Sequence, residues 1–176
     1  MAIAFDSGVL RPRSSTFAPD WTLLERKTVN IHRGVIDWTP SESFDSIDQI
    51  ASKIRIGVLE EFHPNWFRGF GFGVILHLQV VPADASQICK YIDTRNKRGG
   101  VWQWAILSFD EDKRAIGIHT WLHGYLRPVY DSAIHQLVSQ GFECESIDAD
   151  VDKLFVTLGR IATVCKVLKI LGGSLG

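Results

Sequence analysis

Two runs of alternating apolar residues, at 101–109 and 114–122, flank the tetrapeptide Asp110-Glu111-Asp112-Lys113. A period of two argues for strands, and a short charged connector between two such runs argues for an antiparallel hairpin. An even loop centred between Glu111 and Asp112 pairs Leu107 with Ile116, Ala105 with Ile118, Gln103 with Thr120 and Val101 with Leu122 on one face. Ile106 then meets Gly117, Trp104 meets His119 and Trp102 meets Trp121 on the other. A slip of one residue would exchange the two faces, so this pairing constrains any fold the chain adopts.

Further elements follow from local signals. Ser46, with Gln49 three residues on, makes a capping-box start, and Ile47, Ile50, Ala51, Ile54, Val58 and Phe62 recur at helical spacing until Pro64. Residues 70–81 alternate Phe70, Phe72, Val74, Leu76, Leu78 and Val80 against Gly71, Gly73, Ile75, His77 and Gln79, which predicts a strand ended by Pro82. Asp84 opens a helix over 84–94 with Ala85, Ile88, Cys89 and Ile92 on one face. Pro128 suits a first helical turn, and Val129, Ala133, Ile134, Leu137 and Val138 predict a helix over 128–140 closed by Gly141. A short edge strand at 142–147 and a long amphipathic helix from Asp150, carrying Leu154, Phe155, Leu158 and Ile161, complete the chain.

This order predicts an α+β domain. Its central six elements match the ferredoxin-like βαββαβ antiparallel sheet, with an extra N-terminal helix and a long C-terminal helix. If 142–147 is only a loop, the order resembles the α+β sandwich of small secretion chaperones, on element order alone. Residues 1–42, punctuated by Pro12, Pro19 and Pro40, read as a largely irregular, extended arm with a short strand at 28–36, and 43–176 as a single α+β domain.

Charge and cysteine use bound the setting. Nineteen basic against twenty acidic residues leave a net charge of −1, too little field to hold nucleic acid or an anionic membrane. Cys89, Cys144 and Cys165 are far apart and odd in number, which fits a reducing compartment and no disulfide scaffold. The first ten residues have no basic start and no apolar core of a signal peptide. The apolar run at 70–81 is too short to span a bilayer, and Lys153, Arg160, Lys166 and Lys169 interrupt 151–171. A cytoplasmic protein is expected.

Several residue groups invite a functional reading. In a ferredoxin-like order the strand of His77 lies beside that of His119. Trp102, Trp104, Trp121, His119 and His77 would then share one sheet face, with Gly71, Gly73 and Gly117 leaving room for a ligand or partner. Large apolar patches are rare on a soluble monomer, so burial of this face under a terminal helix is the bland alternative. Arg95, Lys97 and Arg98 before Gly99-Gly100 form an anion-binding loop or a solvated turn. The octamer 68–75, Arg-Gly-Phe-Gly-Phe-Gly-Val-Ile, resembles the RNP1 signature of RNA-recognition domains at its first five positions and departs from it at Gly73 and Ile75. Its alternation aims Phe70 and Phe72 into the core. His77, His119 and His123 lack a clearly placed fourth ligand, so no metal and no cofactor are expected. No nucleophile elbow, phosphate loop or dinucleotide fingerprint occurs, and catalytic residues are not identified.

The expectation is therefore a non-catalytic accessory or protein-binding module of chaperone, immunity or complex-subunit type. Its partner is another protein or a second copy, with no membrane role and nucleic acid unfavoured. The alternative is a small-molecule-binding protein or enzyme that uses the Trp/His face, with His119 or His77 as its acid–base group.

Overall fold

The computed structural model describes residues 11–27, 32–41, 44, 46–63, 70–79, 82, 84–92, 102–119 and 126–148. Seven strands form one mixed sheet: β1 (Arg11–Ser14), β2 (Trp21–Lys27), β3 (His32–Trp38), β4 (Phe70–Leu78), β5 (Trp102–Phe109), β6 (Arg114–His119) and β7 (Glu143–Asp148). Helix α1 (Ile47–Phe62) joins β3 to β4, a 3₁₀ helix at Ala85–Lys90 precedes β5, and α2 (Leu126–Ser139) joins β6 to β7. The spatial order is the chain order, β1 to β7.

That order decides where the helices lie. β1–β2, β2–β3 and β5–β6 are antiparallel, while β3–β4, β4–β5 and β6–β7 are parallel. Strands β3, β4 and β5 therefore run one way, and β6 and β7 the other. Parallel crossovers are right-handed almost without exception. Each crossover here advances in the same direction across the sheet, so reversing the strands moves the connecting helix to the opposite face. Accordingly, α1 and the 3₁₀ helix pack with Leu23, Ile36, Val74, Leu76, Leu107 and Ile118 on one face. Val129, Ala133 and Leu137 of α2 pack with Ala115, Ile106, Trp104 and Ile75 on the other.

Strands covered on both faces lose the one-sided alternation and read as continuous apolar runs. Val74-Ile75-Leu76 and Ala105-Ile106-Leu107 are such runs, and all six residues are fully buried. The local signals also hold. Ser46 sits in extended backbone and its hydroxyl accepts from the Gln49 N–H at 3.3 Å. The α1 helix ends at His63 in the left-handed region, one residue before Pro64. The hairpin register pairs Leu107 with Ile116, Ala105 with Ile118, Ile106 with Gly117 and Trp104 with His119.

The ferredoxin-like expectation is wrong. That fold places a later strand between two earlier ones, whereas this chain adds every strand at the growing edge of a seven-stranded mixed sheet. The secretion-chaperone-like alternative falls with it, because residues 143–148 are a full sheet strand paired with β6. The expected helix before the core is α1, but it is a crossover inside the sheet, not an addition to it. The long C-terminal helix falls outside the described residues. In the segment expected as an arm, Trp21, Leu23, Leu24, Val35, Ile36 and Trp38 are buried residues of β2 and β3, and β1, β2 and β3 form one flank of the sheet. Pro19 lies in a turn, and Pro12 lies on edge strand β1, where a missing N–H costs no ladder bond.

Candidate functional site

The expected aromatic wall is divided by one extra residue. Phe72 pairs with Trp102 while the next residue, Gly73, pairs with Trp104, so Gln103 is a β-bulge on β5. The bulge sends Trp102 and Trp104 to opposite faces. Trp102 joins the α1 side and stacks on Tyr91 with ring centres 5.7 Å apart. Trp104 joins the α2 side, where Tyr130 meets both it and His119 edge-on at 5.5 Å. Both tryptophans are buried.

The room expected beside the glycines is filled. A Cβ on Gly73 would come within 2.1 Å of the Trp104 ring, one on Gly117 within 1.9 Å of the Tyr130 hydroxyl, and one on Gly71 within 2.7 Å of the Gln103 side chain. The glycines admit side chains from neighbouring strands and α2. His77 also does not neighbour His119, since β5 lies between their strands. Trp121, His123 and the loop residues Arg95, Lys97 and Arg98 lie outside the described residues. In the octamer 68–75, Phe72 is buried with Val74 and Leu76 on the α1 side.

His77 instead belongs to a polar line that the sequence did not announce. At the carboxyl ends of the three parallel strands, His77 of β4 pairs with Ser108 of β5, and Asp37 of β3, opposite Ile75, lies diagonally from His77 on the same side of the sheet as α2. His77 Nε2 lies 2.9 Å from Asp37 Oδ1, and Nδ1 lies 2.7 Å from Ser108 Oγ. The Ser108 hydroxyl has a second acceptor, the Leu76 carbonyl, at the longer distance of 3.4 Å. Both ring nitrogens of His77 are therefore engaged, one by a carboxylate and one by a hydroxyl. All three residues are buried, and Ser108 is 0% exposed. The residue types are those of a nucleophilic relay. Ser108 is enclosed, and the line bonds three neighbouring strands together. The available signal was a polar residue inside each apolar run, at Asp37 and at Ser108.

A second polar centre pins the amino-terminal flank to α1. Glu61 Oε2 accepts from Arg13 at 2.6 Å, and Oε1 accepts from the Ser15 hydroxyl at 2.5 Å and the N–H groups of Thr16 and Phe17 at 2.5 and 2.6 Å. Arg13 also donates to the Glu61 carbonyl at 2.7 Å and to Glu25 at 3.2 Å, which satisfies a carbonyl at the α1 terminus. Burial pushes the Glu61 carboxyl up, but the bonds from Arg13, Ser15, Phe17 and Thr16 outweigh it and bring it down to about 2. An open hollow of about 480 Å³ beside this centre is lined by Arg11, Pro12, Arg13, Glu25, Glu61, Phe62 and His63. Its central cation, Arg13, is already committed to the two glutamates.

The sheet's two outer edges differ. β1 is four residues long and carries Pro12 opposite Leu24. β7 is six residues long without proline, and Glu143, Glu145 and Ser146 are exposed along it. The Glu143 N–H donates to the Lys113 carbonyl at 2.7 Å. By the alternation of a parallel ladder, Glu143, Glu145 and Ile147 face β6, while the main-chain groups of Cys144 and Ser146 face outward. No strand pairs with that outer side among the described residues. The Tyr130 hydroxyl, 2.7 Å from Ser146 Oγ, ties β7 to α2, and burial first among several causes raises this phenol to about 12. No group of three or more metal-binding side chains occurs among the described residues, and no described helix is long and apolar enough to cross a membrane.

No family model, curated protein or solved structure matches the chain.

Proposed function

We propose that this chain is a non-catalytic accessory protein that binds another protein. The observation that supports this reading is the asymmetry of the sheet edges. Exposed edges invite pairing, and proteins blunt them with short strands and proline. β1 has both devices, while β7 has neither and presents outward main-chain groups at Cys144 and Ser146. The alternative, a small-molecule site on a Trp/His face, is the less favoured reading, because Trp102 and Trp104 are buried on opposite faces. A homodimer through two β7 edges is disfavoured by the like charges of Glu143 and Glu145 brought together.

Photo-crosslinking tests the reading. A photoreactive residue at position 145, in cells that make the protein, should give one dominant adduct with a different polypeptide. The same residue at position 11 on β1 should give none. Adducts only between copies of this chain, or none from position 145, would overturn the proposal.

A further inference from the structure

We infer that the outer edge of β7 accepts an extended segment rich in lysine and arginine, which adds to the sheet as an eighth strand. This rests on the protein-binding reading and names the partner's chemistry. Strand addition draws its affinity from main-chain hydrogen bonds and its selectivity from alternate side chains. The outward N–H and C=O groups of Cys144 and Ser146 supply the first requirement.

The charge around the edge supplies the second. β7 begins beside the β5–β6 turn, since Glu143 bonds to Lys113. Asp110, Glu111 and Asp112 of that turn therefore stand at the same end as Glu143, with Glu145 further along. Among the described residues here, five carboxylates face two cations, Lys113 and Arg114, and those cations are occupied. Lys113 pairs with Asp110 at 3.5 Å and Arg114 with Glu143 at 3.2 Å. The side chain of Glu143 remains 77% exposed despite its pair, so it stays available to an incoming cation. The net acidity of this corner contrasts with a whole-chain charge of −1. It favours a basic strand, and it repels nucleic acid and a second β7 alike.

A peptide of ten residues alternating lysine and valine is the probe, with an alternating glutamate and valine peptide as its counterpart. The full chain should bind the lysine peptide at least tenfold more tightly than the glutamate peptide. The amide protons of Cys144 and Ser146 should gain exchange protection on binding. N-methylation of the peptide amides on one edge should abolish binding, while N-methylation on the other edge leaves it intact. Glu145→Lys should weaken the wild-type interaction about tenfold, and its exposed position leaves the fold intact. No binding at millimolar peptide would overturn the inference. So would binding indifferent to N-methylation, which marks charge attraction without strand addition. If the inference fails while the crosslink from position 145 still reaches another polypeptide, the protein-binding reading stands and only the basic strand is lost.

Discussion

At the scale of single residues, the two polar centres are structural straps whose cost of disruption can be measured. Removing one member of a buried hydrogen-bonded pair leaves the other poorly solvated. His77→Leu takes the imidazole from Asp37 and should cost about 3–5 kcal/mol. Ser108→Ala should cost about 1–3 kcal/mol, since only one neutral hydrogen bond goes. Urea unfolding would measure both. Glu61 makes a pH prediction. Its folded carboxyl titrates at about 2, below the ordinary 4.5, so the unfolded chain binds the proton first as pH falls. The stability from this group is complete above the ordinary value and is lost as pH drops toward 2. Glu61→Gln should therefore be destabilised at neutral pH, and its difference from the native chain should shrink between about pH 4.5 and pH 2. A constant difference across that range would contradict the assignment.

At the scale of elements, the bulge at Gln103 is the decisive irregularity. It sends Trp102 and Trp104 to opposite faces, where each fills a different core. Deleting Gln103 restores simple alternation and must bring Trp102 out of its place against Tyr91. The deletion should cost about 1.5–3 kcal/mol, the value of burying one large apolar side chain. Gln103→Ala keeps the extra residue and should change stability far less. Denaturant midpoints and the near-ultraviolet dichroism of the tryptophans would separate the two variants. Equal losses would show that the side chain, not the residue count, carries the effect. The caps and periods of α1 were readable locally, because the Ser46 bond to Gln49 and the Pro64 stop act within a few residues. The bulge was not readable, because an extra residue is visible only against the strand it opposes.

At the scale of the whole molecule, the sheet is built outward from strands that are flanked on both sides. β4 and β5 have strand neighbours on each edge and helices on the faces, so their amides open only near the global unfolding cost. Amide exchange should be slowest in Phe70–Leu78 and Trp102–Phe109, and fastest among the strands in Arg11–Ser14 and Glu143–Asp148. If β7 exchanged as slowly as β5 in the isolated protein, its outer edge would not be open and the proposed function would lose its support. Ile56, Leu59 and Val138 are also exposed. They lie on helices that cover opposite faces, and scattered single apolar residues at a surface require no partner to explain them.

The sequence alone determined what depends on neighbours along the chain: the α1 start and stop, the β4 alternation, the hairpin register that pairs Trp104 with His119, and the helix and strand that follow. Each rests on a capping bond, a proline or a side-chain period within a few residues. The tertiary structure decided the order of the strands, the face taken by α2, the fate of Trp102 and the partners of His77. Those depend on which edge of the sheet each returning strand joins, and β1, β2 and β3 occupy one side of β4. Once β3 had taken one side of β4, β5 took the other and placed Ser108 beside His77. The reversal at the hairpin then carried α2 to the opposite face, where it buried the tryptophan that local alternation had left open.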